Sequence, residues 1–198
     1  MSTSMLECEQ TGREEGLAAG LAKVLTVAAV ADTAPGPYAA VPVGDVPGGA
    51  AVRTHSLADI EGIVFVECPG ERPRGTYHLV EIGRLLAAVR LGLLRRTLDL
   101  AVEHLTNRFA GEEALIRKQL IIGSVADVMA GVEMLRAYAR SQQDPVTVAD
   151  VHTQIDALGW QVAQMFGAAG YLADHPARAL YVSALVAGTW IDKEGVKA

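Results

Sequence analysis

Two stretches of the 198-residue chain gather residue types that could do chemistry. The first is Asn107-Arg108-Phe109-Ala110-Gly111-Glu112-Glu113, which puts an arginine beside a glycine at the end of an expected helix. A guanidinium there either caps the last helical carbonyls or turns its planar fork toward a pyrophosphate. The residues alone leave both open. The second is Gln164-Met165-Phe166-Gly167-Ala168-Ala169-Gly170-Tyr171-Leu172-Ala173-Asp174-His175-Pro176. Gly167 reads as a helix C-cap, while two glycines separated by small residues also let a ligand approach the backbone closely. Asp174 follows the second glycine. A carboxylate on a loop against an apolar bundle acts as a general base if desolvation raises its pKa.

Other chemistries lack their spacing. His55, His78, His104, His152 and His175 never form the Glu-x-x-His pairs of a di-iron bundle. Cys-x-x-Cys, a P-loop and the Gly-x-Ser-x-Gly elbow are absent from the sequence, so no metal site is expected. Arg84, Arg90, Arg95 and Arg96 fall on one expected helix and read as a solvated basic face.

The elements that must hold these residues follow from composition and period. Hydrophobic residues make up 51% of the chain and charged residues 20%, which excludes a disordered chain. A net charge of -6 excludes nucleic acid as a natural partner. Abundant Ala and Gly with few aromatics suit close helix packing. Cys8 and Cys68 are too few for a secreted disulfide scaffold, so a reduced, cytoplasmic protein is expected. The apolar run over 17–31 is broken by Lys23 and is too short to span a membrane. Glu7, Glu9, Glu14 and Glu15 precede it, where a signal peptide needs positive charge.

Up to about residue 75, short apolar runs alternate with turns. Val24–Val30 reads as a strand from its β-branched content, with Leu17–Ala22 ambiguous. Tyr38–Val43 and Ile60–Val66 read as further strands, separated by Pro-Gly turns. Beyond it the period becomes helical, with Ile82, Leu86, Val89 and Leu93 on one face. Helices are expected over 78–107, 112–141 (Leu115, Ile122, Val125, Met129, Val132 and Leu135 inward), 146–166 and 177–187. The expected fold class is α+β: a small antiparallel β-domain over 1–75, then an antiparallel four-helix bundle over 76–198.

In order and spacing these stretches resemble the acyl-CoA dehydrogenase family, in its middle β-domain and C-terminal helical domain without the N-terminal one. Arg108 and Gln119 keep the family's arginine-to-glutamine spacing, and Ala126-Asp127-Val128, Glu133 and Arg136 follow in register. Gln164 through Tyr171 is similar to its Gln-x-x-Gly-Gly-x-Gly-aromatic motif, Gly188-Thr189 to its late Gly-Thr pair, and Ala29-Val30-Ala31-Asp32 to a strand element of its β-domain. The resemblance implies FAD bound between subunits and α,β-dehydrogenation of an acyl thioester, carried by CoA or an acyl-carrier protein. It implies Arg108 and Gln119 on the FAD of a neighbour, and Gln164, Gly167 and Gly170 at its adenosine-pyrophosphate end. Thr189, and Thr26 beside the ring, are implied on the flavin side, with Asp174 where one subfamily carries its catalytic Glu.

The chain also departs from the pattern. Ala168 replaces the second glycine, and Asp174 is a methylene shorter than Glu. The expectation is therefore an acyl-CoA dehydrogenase-like protein or subunit, as a homo-oligomer or with a full-length homologue. The alternatives are a non-catalytic subunit completing a partner's FAD site, or a repurposed bundle binding a small molecule without flavin.

Overall fold

The computed structural model describes residues 4–27, 30–69, 77–141 and 144–191. Helix α1 (Met5–Glu14) starts at a capping box, in which Ser4 Oγ accepts from the Glu7 amide and the Glu7 carboxylate accepts from the Ser4 amide. Helix α2 (Leu17–Leu25) buries Leu17, Gly20, Leu21 and Val24, a helical spacing. The expected strand over 24–30 is thus corrected. Val24 and Leu25 are helical, Thr26 is the C-cap, and Val30–Thr33 forms one further turn, α3. Packing of one helical face has overridden β-branched propensity. The strand expected around Ala31-Asp32 is corrected with it; Ala28 and Ala29 lie outside the described residues.

Strands β1 (Tyr38–Pro42), β2 (Val52–Arg53) and β3 (Ile63–Glu67) form an antiparallel sheet in the order β1-β3-β2, with Ala40 opposite Phe65. Helix α4 (Ser56–Ile60) lies between β2 and β3 in the chain. Helix α5 (Tyr77–Thr106) is followed by a hairpin of β4 (Phe109–Ala110) and β5 (Glu113–Ala114) that turns at Gly111, φ 69°. A 3-10 turn (Leu115–Arg117) then leads into α6 (Gln119–Ser141). Residues 112–118, expected as helix, are therefore hairpin and turn, because the chain reverses at a glycine in the left-handed region. Helix α7 (Pro145–Met165) is capped by Asp144, whose carboxylate accepts from the Thr147 amide at 2.9 Å. Helix α8 (Arg178–Trp190) closes the described chain. The molecule is helix-rich with a small antiparallel sheet.

Helix α5 is the hub. The buried residues of α1, α2, the sheet, α5, α6, α7 and α8 form one continuous hydrophobic cluster. Two glycines make the α1–α5 crossing close: a Cβ on Gly92 would sit 2.0 Å from the Glu9 carbonyl oxygen, and one on Gly12 would sit 2.3 Å from that of Val89. Gly83 gives Val148 of α7 the same kind of notch, at 2.5 Å. Ion pairs of Arg13 with Asp99 and of Glu9 with Arg136 fasten α1 to α5 and α6, and Glu133 of α6 also pairs with Arg136.

Helix α6 inserts only Val128, Val132, Leu135 and Ala139. Ile122 and Met129, expected inward, are 53% and 39% exposed, because these four residues define a face rotated away from them. Both cysteines are buried, and burial pushes the thiol of Cys8 up to about 11. Among the described residues no helix is long and apolar enough to cross a membrane.

Helix α8 also closes the sheet edge. The Thr189 hydroxyl accepts from the Ala40 amide at 3.1 Å and donates to the Val186 carbonyl at 2.8 Å. The Trp190 indole N–H, fully buried, donates to the Ala40 carbonyl at 2.9 Å. Two side chains of one helix thereby satisfy an edge-strand peptide.

Candidate nucleotide cleft and a buried arginine

The arginine and the glycine turn come together. Arg108 leaves the C-terminal end of α5 exposed, and the turn after α7 brings Phe166 beside it. Together with Leu100, Glu103, His104, Asn107 and His175 they line an open cleft of about 320 Å³. The buried Phe166 ring lies between two imidazoles, with centroids 5.4 Å from His104 and 4.4 Å from His175. His175 Nδ1 accepts from the Ala177 amide at 3.1 Å, which fixes that ring. Burial, and then the neighbouring His104, hold the His175 pKa below its ordinary value, so its neutral form is favoured. The fixed positive charge of the cleft is therefore Arg108. Its guanidinium lies 3.5 Å from His104 Nε2 and, among the described residues, pairs with no carboxylate.

The glycine turn is a helix end with room around it. Gly167 has φ 61°, directly after the Phe166 cap, and a Cβ there would meet nothing within 4 Å. This satisfies the C-cap reading and leaves space beside the cleft for a ligand. Gly170 has a different reason: its Cβ would lie 2.4 Å from the Ala163 carbonyl oxygen, so it lets the turn fold back on α7. Ala168 is exposed on the same turn, and Gln164 is exposed in the last turn of α7 before it. Gln119, the exposed first residue of α6, follows the hairpin that Arg108 begins, where the Leu115 amide donates to the Arg108 carbonyl at 2.7 Å.

The remaining expected residues stand apart. Thr189 is committed to β1, as above. The exposed Thr26 hydroxyl donates to the Lys23 carbonyl at 2.8 Å as a local cap. Asp174 is exposed, and its backbone carbonyl accepts from Arg178 at 2.9 Å. Neither Asp174 nor Thr189 lines this cleft or the cavity described next.

A second site was not visible as a site in the sequence. Arg90, read there as part of a solvated face, is 1% exposed. Helix α5 is covered around most of its middle, which leaves an arginine at that height almost no contact with solvent. Its charge is met inside. Arg90 Nη1 donates to His152 Nδ1 at 2.8 Å, Nε donates to Ser183 Oγ at 3.3 Å, and Nη2 forms an ion pair with Asp156. His152 Nε2 donates to the Gly83 carbonyl at 3.0 Å, which assigns a neutral imidazole with Nδ1 as acceptor. Burial lowers the Arg90 pKa, with the Asp156 carboxylate opposing the shift. The available signals were one arginine within the apolar run 85–94, and a His152–Asp156 pair four apart on α7.

Arg90 and Asp156 lie on the wall of a half-enclosed cavity of about 390 Å³ between α5, α7 and α8. Its mouth carries Trp160, Tyr171 and Tyr181, which are 57%, 56% and 51% exposed. Most of its wall is apolar, from residues such as Leu57, Ile155 and Leu180.

Residues 78–143 match the family model for the acyl-CoA dehydrogenase C-terminal domain. Butyryl-CoA dehydrogenase from Megasphaera elsdenii superposes with a TM-score of 0.58 at 17% identity, over 82% of this chain and 47% of that one. Acyl-CoA dehydrogenase from Geobacillus kaustophilus gives 0.55 at 16%, over 77% and 48%. The ChsE4-ChsE5 complex from Mycobacterium tuberculosis gives 0.50 at 22%, over 71% and 44%. No curated protein matches the sequence. By fold and by domain the chain is acyl-CoA dehydrogenase-like, and it spans about half the length of the solved structures it matches.

Proposed function

We propose that the chain is an FAD-dependent acyl-CoA dehydrogenase-like subunit whose Arg108 cleft grips the pyrophosphate of FAD in an assembly with a second copy or a larger homologue. The observation that carries this reading is the exposed Arg108 guanidinium, without a carboxylate partner among the described residues, beside a turn that leaves open space at Gly167. The residues fit the group: the planar fork suits a phosphate, Gln119 starts α6 just after the hairpin, Gln164 stands two residues before Phe166 of the cleft, and no Cβ blocks Gly167. FAD, when bound, would take up the β-hydride of the acyl thioester. The chain's own part is to hold the cofactor and, at Asp174, to take the α-proton as the Cα–Cβ double bond forms.

A second reading gives the chain only the supporting part. It is favoured by Asp174, which lies exposed and off both cavities. In that reading the base belongs to the partner.

One experiment tests both. Protein purified from its native host, with whatever subunit accompanies it, is expected to carry a flavin absorption band that saturated acyl-CoA thioesters bleach. If Asp174 is the base, Asp174→Asn should slow bleaching by at least a hundredfold with the band retained. General base catalysis is worth on the order of 10²–10⁴. Unchanged bleaching in that variant selects the supporting reading. A protein that neither carries flavin nor takes it up from excess FAD contradicts both.

A further inference from the structure

The cavity against Arg90 has a polar end that the nucleotide cleft does not use. A guanidinium carries five N–H bonds. Nε, both Nη1 hydrogens and one Nη2 hydrogen are spent on Ser183, on His152 Nδ1 and its carbonyl (at 3.4 Å), and on Asp156. Among the described residues the second Nη2 hydrogen meets no acceptor. The Asp156 carboxylate is 39% exposed and spends Oδ1 on Arg90, and Oδ2 accepts nothing from the described residues. A donor and an acceptor therefore stand side by side on the wall of a mostly apolar cavity, whose other charged lining residue, Arg178, is already paired with Glu61 at 2.8 Å.

The charges select the occupant. An anion at Arg90 would face the Asp156 carboxylate, and a cation at Asp156 would compete for the counter-charge of a buried arginine. A neutral group that both accepts and donates fits without disturbing the pair. A volume of about 390 Å³ falls in the range of small-molecule pockets. The aromatic side chains at the mouth supply apolar cover.

We propose that this cavity is a binding site for a neutral hydroxyl-bearing apolar molecule, its oxygen accepting from Arg90 Nη2 and its hydroxyl hydrogen bonding to Asp156. The site shares the turn after α7, Gly170 included, with the surroundings of the Arg108 cleft, but its polar pair of Arg90 and Asp156 lies outside that cleft.

The test is calorimetric titration of the purified protein with 1-octanol, octanoate and octylammonium, in wild type and in Gly159→Leu. Gly159 lines the cavity, and its Cβ would meet only Leu180, at an ordinary 3.8 Å, so a side chain there fills the cavity without striking the backbone. A thermal melt confirms that the variant is folded. Saturable binding of 1-octanol is expected, at least tenfold tighter than either ion and at least tenfold weakened in Gly159→Leu. If that variant unfolds, Ala184→Leu on the α8 wall serves in its place. Absence of saturable octanol binding, equal affinity for all three probes, or affinity undiminished in the filled variant overturns the proposal.

Discussion

Gly92→Ala should lower stability by about 3 kcal/mol, the upper part of the usual range for overpacking a tight core. For a chain of this size that is a fall in melting midpoint of roughly 6–12 °C. Two effects compete. Alanine is the better helix former by about 1 kcal/mol, which alone would stabilise the helix. Against it, the new methyl would lie 2.0 Å from the Glu9 carbonyl oxygen and 2.9 Å from the Arg13 amide nitrogen. Both are backbone atoms of α1, so no rotamer change relieves the clash, and the helix must move as a body. That movement would also pull on the ion pairs of Glu9 with Arg136 and of Arg13 with Asp99. Gly123→Ala separates the two effects. A Cβ there meets nothing within 4 Å on α6, so propensity acts alone and the protein should gain about 1 kcal/mol. Calorimetric melts of the two variants should shift in opposite directions. A shift in the same direction would mean that α1 does not sit on α5 as described.

Asp156→Ala is expected to cost about 3 kcal/mol, because it strands a charge that is 1% exposed. Asp156 itself is 39% exposed, so part of the pair's Coulombic energy is already screened by water, and the figure is the low end for a broken buried pair. Arg90→Met should cost less. The carboxylate it leaves can rehydrate through the cavity mouth, and a thioether fills an apolar site with few constraints. The asymmetry is the prediction, read from denaturant midpoints of both single variants. An arginine substitution as damaging as the aspartate substitution would show that Arg90 is not sealed from solvent.

The sequence was most informative where one face of an element alternates clearly with the other. The apolar ladder through Ile82, Leu86 and Val89 marks α5, and the run Ile63-Val64-Phe65-Val66 marks the central strand. It misled over 24–30, where β-branched residues suggested a strand but Leu17, Leu21 and Val24 shared a helical face. It was also incomplete for α6. Apolar residues at helical spacing do not say which of two faces meets the protein, and only packing chose Val128 and Val132 over Ile122 and Met129. For the site, motif order singled out Arg108 and the turn after α7, but their meeting in one cleft is visible only in the fold. The burial of Arg90 is also visible only there, because it depends on α7 and α8 closing over α5 from distant parts of the chain. The glycines sit between these cases: their abundance announced close packing, but not which helices approach.

The proposed grip of Arg108 on FAD is read by titrating FAD into wild type and Arg108→Ala, each as purified, and following the quenching of flavin fluorescence. Loss of one charge-assisted hydrogen bond, on the order of 1.5–3 kcal/mol, predicts affinity weakened by roughly ten- to a hundredfold. The exposed position of Arg108 leaves the fold, checked by an unchanged melt, intact. Equal affinity of the two proteins for FAD would remove Arg108 from the cofactor site.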